Sequence, residues 1–362
     1  MSQFAAERET YAYRPYEAGD AEGFLDLYRS VWGRERTTEW FRWRFEENPY
    51  TEAVPMVVAE RDGELVGAEP CLAMRVSGGG TGALALQPAD WIVHPDHRRR
   101  GVFSGMTESL LDRYADRAAL FFNFPSEALV PGVEKFGWTV GPGPVDHYRV
   151  HDPGALLGEE GRGGRLGRLA APFARGYARA RTRLARTDPE VSVERRETVP
   201  AELLADLDAG VPGSVHVVHD EAFYRWRFAN PAWATTTYLA RRGGETVAAA
   251  VAVRETVGGV ARTNLLAVAP RDGSADAAAL RALVAAVVTD AADDDAVRVA
   301  GDAIPARVLR SFGFVAGDAF PLSTAARRCR LAVRTPDGRR LDGCDPTDFG
   351  AWSLSMADRD VA

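Results

Sequence analysis

The chain has 362 residues, 46% of them hydrophobic and 26% charged, a composition of globular material and a length sufficient for two domains. Its formal net charge of −7 argues against a general nucleic-acid binder, and Cys71, Cys329 and Cys344 are too few and too scattered for a disulfide framework or a metal cluster. No run approaches the roughly 18 apolar residues of a membrane span, and Met1-Ser2-Gln3 does not open a charged-then-apolar leader, so a cytoplasmic protein with no metal and no membrane partner is expected.

A helical stretch that includes Asp20 to Val31 comes first, followed by an aromatic and basic cluster built on Trp40, Phe41, Trp43 and Phe45. Such a cluster suits base stacking as well as a core. Met56 to Gly67 reads as a hairpin, two β-rich runs around a glycine turn. A strand from Leu84 to Val93 then ends Asp90-Trp91-Ile92-Val93 and leads into His94-Pro95-Asp96-His97-Arg98-Arg99-Arg100-Gly101-Val102-Phe103-Ser104. An amphipathic helix, Phe103 to Ala115, and a strand, Ala119 to Phe124, complete this part. The first N–H groups of a helix have no intrahelical acceptor and carry about half a positive charge, so a strand, a basic glycine loop and a helix start form a socket for a pyrophosphate. Gly101 allows φ > 0 or close approach of a ligand, and the three arginines add directional donors. His94 and His97 share this loop, where solvent or phosphate contact fits them better than metal ligation.

Further along, Phe41-Arg42-Trp43-Arg44-Phe45-Glu46-Glu47-Asn48-Pro49 recurs one residue shorter as Tyr224-Arg225-Trp226-Arg227-Phe228-Ala229-Asn230-Pro231. A hairpin follows each copy, and Glu134-Lys135-Phe136-Gly137-Trp138 parallels Arg310-Ser311-Phe312-Gly313-Phe314. Three matches in one order define an internal repeat, and recurrence of the aromatic cluster favours a core role for it. His147 and His151 follow a strand and are expected at the surface. Between the copies, Gly161 to Arg186 reads as a basic helix interrupted near Pro172, a linker packing its apolar stripe across both halves with its arginines solvated or paired. In the second half a strand (Arg262 to Val268), a helix (Asp276 to Ala291) and a strand (Ala296 to Ala300) repeat the earlier order. The intervening loop carries Asp272 and Asp276 and lacks the Arg-x-x-Gly spacing, which opposes an anion. After a hairpin around Thr335 to Gly338, alternating Trp352, Leu354 and Met356 predict a half-buried strand; Asp358 and Asp360 beyond it read as exposed acids, or as carboxylates that approach an active cleft and bind a cationic amine.

The Val93-His94-Pro95 lead-in and the spacing of Arg98 and Gly101 resemble motif A of the GNAT superfamily, the acyl-CoA-dependent N-acyltransferases, with Phe103 where that family has a second small residue. The order of elements resembles the GNAT fold over about 10–150 and 190–325, so the chain resembles a tandem GNAT with a degenerate second copy. The implied architecture is α/β (α+β): two mixed sheets flanked by helices. Its blocks are an acyl-CoA-binding domain (10–150), a basic helical linker (151–190), the degenerate domain (191–325) and a hairpin or strand tail (326–362).

The resemblance implies acetyl-CoA as acyl donor. Trp91, Ile92 and Val93 would end the splayed strand beside the pantetheine, which Asn123 would also contact. Arg98 and the backbone amides of Arg99, Arg100, Gly101, Val102, Phe103 and Ser104 would surround the pyrophosphate. Acyl transfer to an amine needs a neutral nucleophile and a proton for the leaving thiolate. Asp90 is the acidic candidate, with Gln87 nearer the usual location but unable to take a proton. Val133 stands where the family's tyrosine is expected, leaving Tyr148, or a chain terminus as in tandem aminoglycoside acetyltransferases of the enhanced-intracellular-survival type, as the acid.

These readings describe an N-acyltransferase that moves acetyl to a primary amine of a small molecule or a protein. The alternative is an acyl-CoA-binding sensor or interaction protein without turnover. Aminoacyl transfer from charged tRNA gains from the basic linker and is opposed by the CoA-type loop. The sequence selects neither the acceptor nor the oligomeric state.

Overall fold

The computed structural model describes residues 11–156, 162–208, 210–324 and 328–360. In chain order the first half supplies β1 (Ala12–Pro15), β2 (Met56–Arg61), β3 (Glu64–Ser77), β4 (Ala83–Pro88), β5 (Ile92–Val93), β6 (Leu120–Asn123), β7 (Thr139–Pro142) and β8 (Asp146–Val150). The second half supplies β9 (Val191–Arg196), β10 (His216–Val217), β11 (Ala234–Arg242), β12 (Glu245–Val257), β13 (Val260–Ala269), β14 (Ala296–Ala300), β15 (Val315–Ala316) and β16 (Arg330–Arg334). Both expected hairpins form, β2–β3 and β11–β12. Their turn pairs, Asp62-Gly63 and Gly243-Gly244, all have positive φ, as a two-residue turn matched to strand twist requires.

The strands build two mixed sheets, each flanked by helices, as the sequence led us to expect. Their membership is not sequential. The first runs β1-β2-β3-β4-β6-β16-β7, with β5 and β10 also on β3, and the second runs β15-β8-β14-β13-β12-β11-β9. Thus β16, from the C-terminal part, lies antiparallel between β6 and β7, while β8, from the first half, lies antiparallel between β14 and β15. Each half lends the other the strand that fills the same slot. Neither sheet can then lose its neighbour without breaking two strand ladders.

Three apolar layers follow. The inner faces of the sheets share one core with Phe24, Phe41, Leu204 and Phe223 of the intervening helices and with Leu354, Met356 and Ala357 of the tail. Outside, the helix Val102–Tyr114 covers the first sheet through Met106 and Leu110, and Ala277–Asp290 covers the second through Leu280 and Val284. The repeated aromatics Trp40, Phe41, Trp43 and Phe45 are all buried in the shared core. The extra residue of the first copy is absorbed locally: Thr38–Phe41 continues into a π-turn, Arg42–Glu46, whereas the shorter copy is a plain helix, Glu221–Arg227.

Several local expectations need correction. The linker helix Arg162–Leu184 runs through Pro172, which faces solvent, where the carbonyl deprived of its donor can meet water. It touches both halves but only one sheet, packing on β8, which the first half lends to the second sheet, and on that sheet's outer helix: Arg149 donates to the carbonyl of Ala178 and to Thr182. The tail from Phe349 is not a strand; it has two 3-10 turns, Phe349–Ala351 and Met356–Asp358, and one bridge from Trp352 to Val215. Leu354 and Met356 are buried and Trp352 half-buried because the tail packs into the core shared by the sheets. His147 and His151 are buried as well, and His151 accepts from Arg149 at 3.0 Å.

Candidate active site

Strands β4 and β6 are parallel neighbours only at Ala85–Leu120 and Leu86–Phe121. Beyond that point the chain bulges through Ala89, Asp90 and Trp91, and β5 returns to pair with Gly67 and Ala68 of β3, while Asn123 of β6 pairs with Ala332 of β16. The two strands therefore diverge into a cleft. At its mouth the helix Val102–Tyr114 begins at Gly101, whose φ of 86° is left-handed, and no side chain caps the helix start. Its first amides stay available to an anion.

The loop residues surround this helix start. Arg99 and Arg100 are exposed, and Arg98, also exposed, turns its Nε back to the carbonyl of Val93 at 3.1 Å. The Phe103 ring, in place of a small residue, packs sideways on Trp91 and Phe136 at centroid distances of 5.2 and 6.1 Å. Ser104 accepts from Lys135 at 3.4 Å. Asn123 is buried at the strand end, and its Oδ1 accepts the N–H of Phe124 at 2.5 Å. His97 meets the Tyr11 hydroxyl at 3.1 Å.

On the other side of the cleft the C-terminal tail closes in. Asp90, with φ of 50° at the bulge, pairs through Oδ2 with Nε of fully buried Arg44 at 2.7 Å. The same guanidinium donates to the carbonyl of Asp360 at 3.1 Å, and Gln87 donates to that of Asp358 at 2.9 Å. Burial holds the Asp360 carboxyl above the usual range; Arg44 opposes that shift and Asp90 adds to it. Two carboxylates and an arginine thus converge where the strands part. Asp358, expected to be exposed, is buried, and Asp360 is half-buried at the cleft.

The tail is fixed from the second half too. Arg227, the repeat counterpart of Arg44, donates to the carbonyls of Ala357 and Arg359 at 2.8 and 2.9 Å, and burial lowers its pKa to about 9. His219 bridges two carboxylates, Nδ1 to Asp208 at 3.0 Å and Nε2 to Asp358 at 2.5 Å, all without solvent exposure. Burial would raise the Asp208 carboxyl, but the His219 contact and the Arg271 charge overcome it and hold it at about 2. Arg359 pairs with Asp146 at 2.7 Å, which also pairs with Arg298 at 2.7 Å.

The equivalent place in the second half is closed. Arg271, from the loop after β13, is buried against Asp208 at 2.8 Å instead of facing a helix end. The helix Ala277–Asp290 has its own anion: Asp276 accepts the N–H of Ala278 at 3.0 Å. At the end of β14 the Leu354 carbonyl lies so close to Gly301 that no side chain would fit there.

Tyr148 sits on β8 and therefore on the second sheet, its hydroxyl 3.3 Å from Asp146 Oδ2 and its pKa raised by burial. Its hydroxyl faces Asp146, whereas Asp90 pairs with Arg44. Glu69 was not singled out by the sequence, although it is the lone carboxylate in the apolar run Val66 to Met74. It is fully buried beneath the socket helix, accepts from Thr107 at 2.8 Å, and burial raises its pKa to about 8. Arg44 and Arg227 were noticed as repeat members, and only the fold reveals their hold on the tail. A cavity of about 450 Å³ between the β7–β8 connection and Gly301–Ala306 has His147 and Asp302 as its ionisable lining and includes no loop residue. Among the described residues no helix is long and apolar enough to cross a membrane, and no group of three or more His, Cys, Asp or Glu residues is arranged to hold a metal ion.

Diverging parallel strands, an uncapped helix start after a basic glycine loop, and a mixed sheet define the GNAT acetyltransferase fold, here present as two GNAT-like sheets. The family model of the acetyltransferase (GNAT) domain matches residues 12–141, from β1 through the loop to β7. No curated protein matches the chain in sequence. Among solved structures, a GCN5-related N-acetyltransferase from Anabaena variabilis superposes with a TM-score of 0.62 at 10% identity, over 96% of this chain and 85% of that one. A conserved protein of unknown function from Enterococcus faecalis, a probable N-acyltransferase, gives 0.62 at 11% identity over 91% and 75%. A GCN5-related N-acetyltransferase from Kribbella flavida gives 0.56 at 15% identity over 96% and 74%. At these identities the likeness is one of fold, and it extends over both halves.

Proposed function

We propose that the chain is an N-acyltransferase with one acyl-CoA site, in its first half, that moves acetyl from acetyl-CoA to a primary amine. One contrast carries the reading: the helix after Gly101 begins uncapped beside diverging strands, while its counterpart in the second half is capped by Asp276. In this reading the amides from Arg99 to Ser104, with Arg98, hold the pyrophosphate, and Trp91 to Val93 and Asn123 border the pantetheine. Asp90 or Asp360 takes the proton that an ammonium must lose before its nitrogen attacks the thioester carbon. The C–S bond breaks as the N–C bond forms, the proton held by that carboxyl passes to the departing thiolate, and the second proton that the nitrogen loses on becoming an amide leaves to solvent. Tyr148, engaged with Asp146, is left out of the transfer.

The 2.7 Å pair between Arg44 and Asp90 favours a second reading, an acyl-CoA sensor without turnover, because an arginine partner weakens a carboxylate as a base. Thiol release from acetyl-CoA over a panel of amines decides between them. Turnover of any amine supports the transferase, and CoA binding without turnover across the panel supports the sensor. Failure of the intact chain to bind CoA overturns both.

A further inference from the structure

Between the end of the helix Ala21–Trp32 and the inner face of β12–β14 lies a cavity of about 220 Å³. Its ionisable lining is Arg34, Arg262, Arg298 and Glu255, three cations to one carboxylate, in a chain of net charge −7. That carboxylate is already engaged: Glu255 accepts Nδ2 of Asn264 at 2.7 Å and pairs with Arg262 at 3.1 Å. Arg298 shares Asp146 with Arg359, so two cations flank that one anion. Arg34 is exposed and forms no ion pair among the described residues. Three buried polar atoms in the lining have no hydrogen-bond partner: the donors Nε of Arg262, which faces Glu255 only as an ion pair, and Nε of Arg298, and the acceptor Oδ1 of Asn264. Buried polar atoms without partners cost free energy that a ligand of the right polarity recovers. Trp233, Val253, Leu266 and Met356 form the apolar remainder.

The tail that reaches the cleft also forms part of the cavity wall. Met356 lines it, Asp360 follows four residues later, and the chain Arg298–Asp146–Arg359 links its wall to the same segment. We infer that this cavity receives an anionic group, a carboxylate or a phosphate monoester, carried by the amine acceptor. Resting on the N-acyltransferase reading, the inference assigns the second half the role of acceptor selection. The anionic group undergoes no chemistry; it anchors the acceptor while its nitrogen attacks.

The test has two arms, both on the full chain. The first compares acetyl-CoA-dependent thiol release for O-phosphoethanolamine against ethanolamine, and for β-alanine against propylamine. At least one anionic member is expected to exceed its uncharged-tail counterpart about tenfold in kcat/KM, a difference of one ion-pair contact. Which pair shows it separates phosphate from carboxylate. Arg34→Ala should raise KM for that acceptor while leaving CoA affinity unchanged, and equal rates within both pairs would overturn the inference. The second arm needs no turnover: inorganic phosphate and acetate are titrated by calorimetry into Gly101→Glu, whose pyrophosphate socket is blocked. Binding of either anion that is lost when Arg34→Ala is added supports the site even if the transferase reading fails. Absence of binding by both anions overturns it even if the transferase reading holds.

Discussion

Trp43 and Trp226 each donate an indole N–H to the other's main-chain carbonyl, at 2.6 and 2.8 Å, with ring planes 24° apart. They occupy the same position in the two repeat copies, so the contact is the local two-fold centre of the molecule. Replacing either indole by phenyl keeps an aromatic ring and removes one buried hydrogen bond and some core volume; the Trp226 carbonyl still accepts from the N–H of Ala229 at 3.2 Å. Trp43→Phe and Trp226→Phe are each expected to lose about 1–3 kcal/mol in urea unfolding. The double variant should depart from additivity by about 0.5 kcal/mol or more, because the residues share one contact surface. A neutral effect of both single changes would mean that the halves are joined elsewhere.

Asp208 ties His219 and Arg271 together beneath the tail. Its folded-state pKa, about 2 against 3.8 for a free side chain, lies below the unfolded value. Its contribution is therefore present above pH 3.8 and is lost as the pH falls toward 2, a change of about 2 kcal/mol. Asp208→Asn should flatten that acid limb in urea titrations and also destabilise the protein near neutrality, where the buried Arg271 loses its counter-charge. An unaltered acid limb would show that Asp208 carries no such linkage.

Glu69 titrates in the opposite sense. With a folded pKa near 8 against 4.5 unfolded, it keeps its proton in the native state while the unfolded chain releases it. Stability should decline from pH 4.5 toward 8 and level off above, by up to roughly 5 kcal/mol from this group alone. Glu69→Gln removes that decline, so its Tm relative to the parent should rise between pH 5 and pH 8, taken as approximate bounds of the titration. Parallel Tm profiles would contradict the assignment.

Gly101→Glu places a bulky anion in the socket at a backbone angle that side chains rarely adopt, though a Cβ there meets nothing. Strain of about 1–2 kcal/mol should leave the protein folded. CoA-induced thermal stabilisation should vanish. Gly273→Glu, on the capped side of the second half, should leave it intact. Equal losses in both variants would mean that both loops bind the cofactor.

Periodicity and turn chemistry carried much of the fold: the hairpins, the socket helix and the repeat all follow from local patterns. Strand exchange did not, because β8 and β16 present the same alternation whichever sheet they join, and sheet choice is decided by distant residues. That is why Tyr148, close in sequence to the first sheet, belongs to the second. The placement of Asp358 and Asp360 was equally hidden. Such acids read as solvated until His219, at the Asp358 carboxylate, and Arg44, at the Asp360 carbonyl, both more than a hundred residues away, are brought to them. The basic loop was recognisable because its elements are contiguous, whereas the acid–base groups are assembled across the fold.

The central claim is one cofactor site per chain, and calorimetric titration of the intact protein with CoA tests it most directly. A stoichiometry of about one CoA per chain, with binding abolished by Gly101→Glu, is the predicted result. Two equivalents per chain, or undiminished binding in that variant, would contradict it.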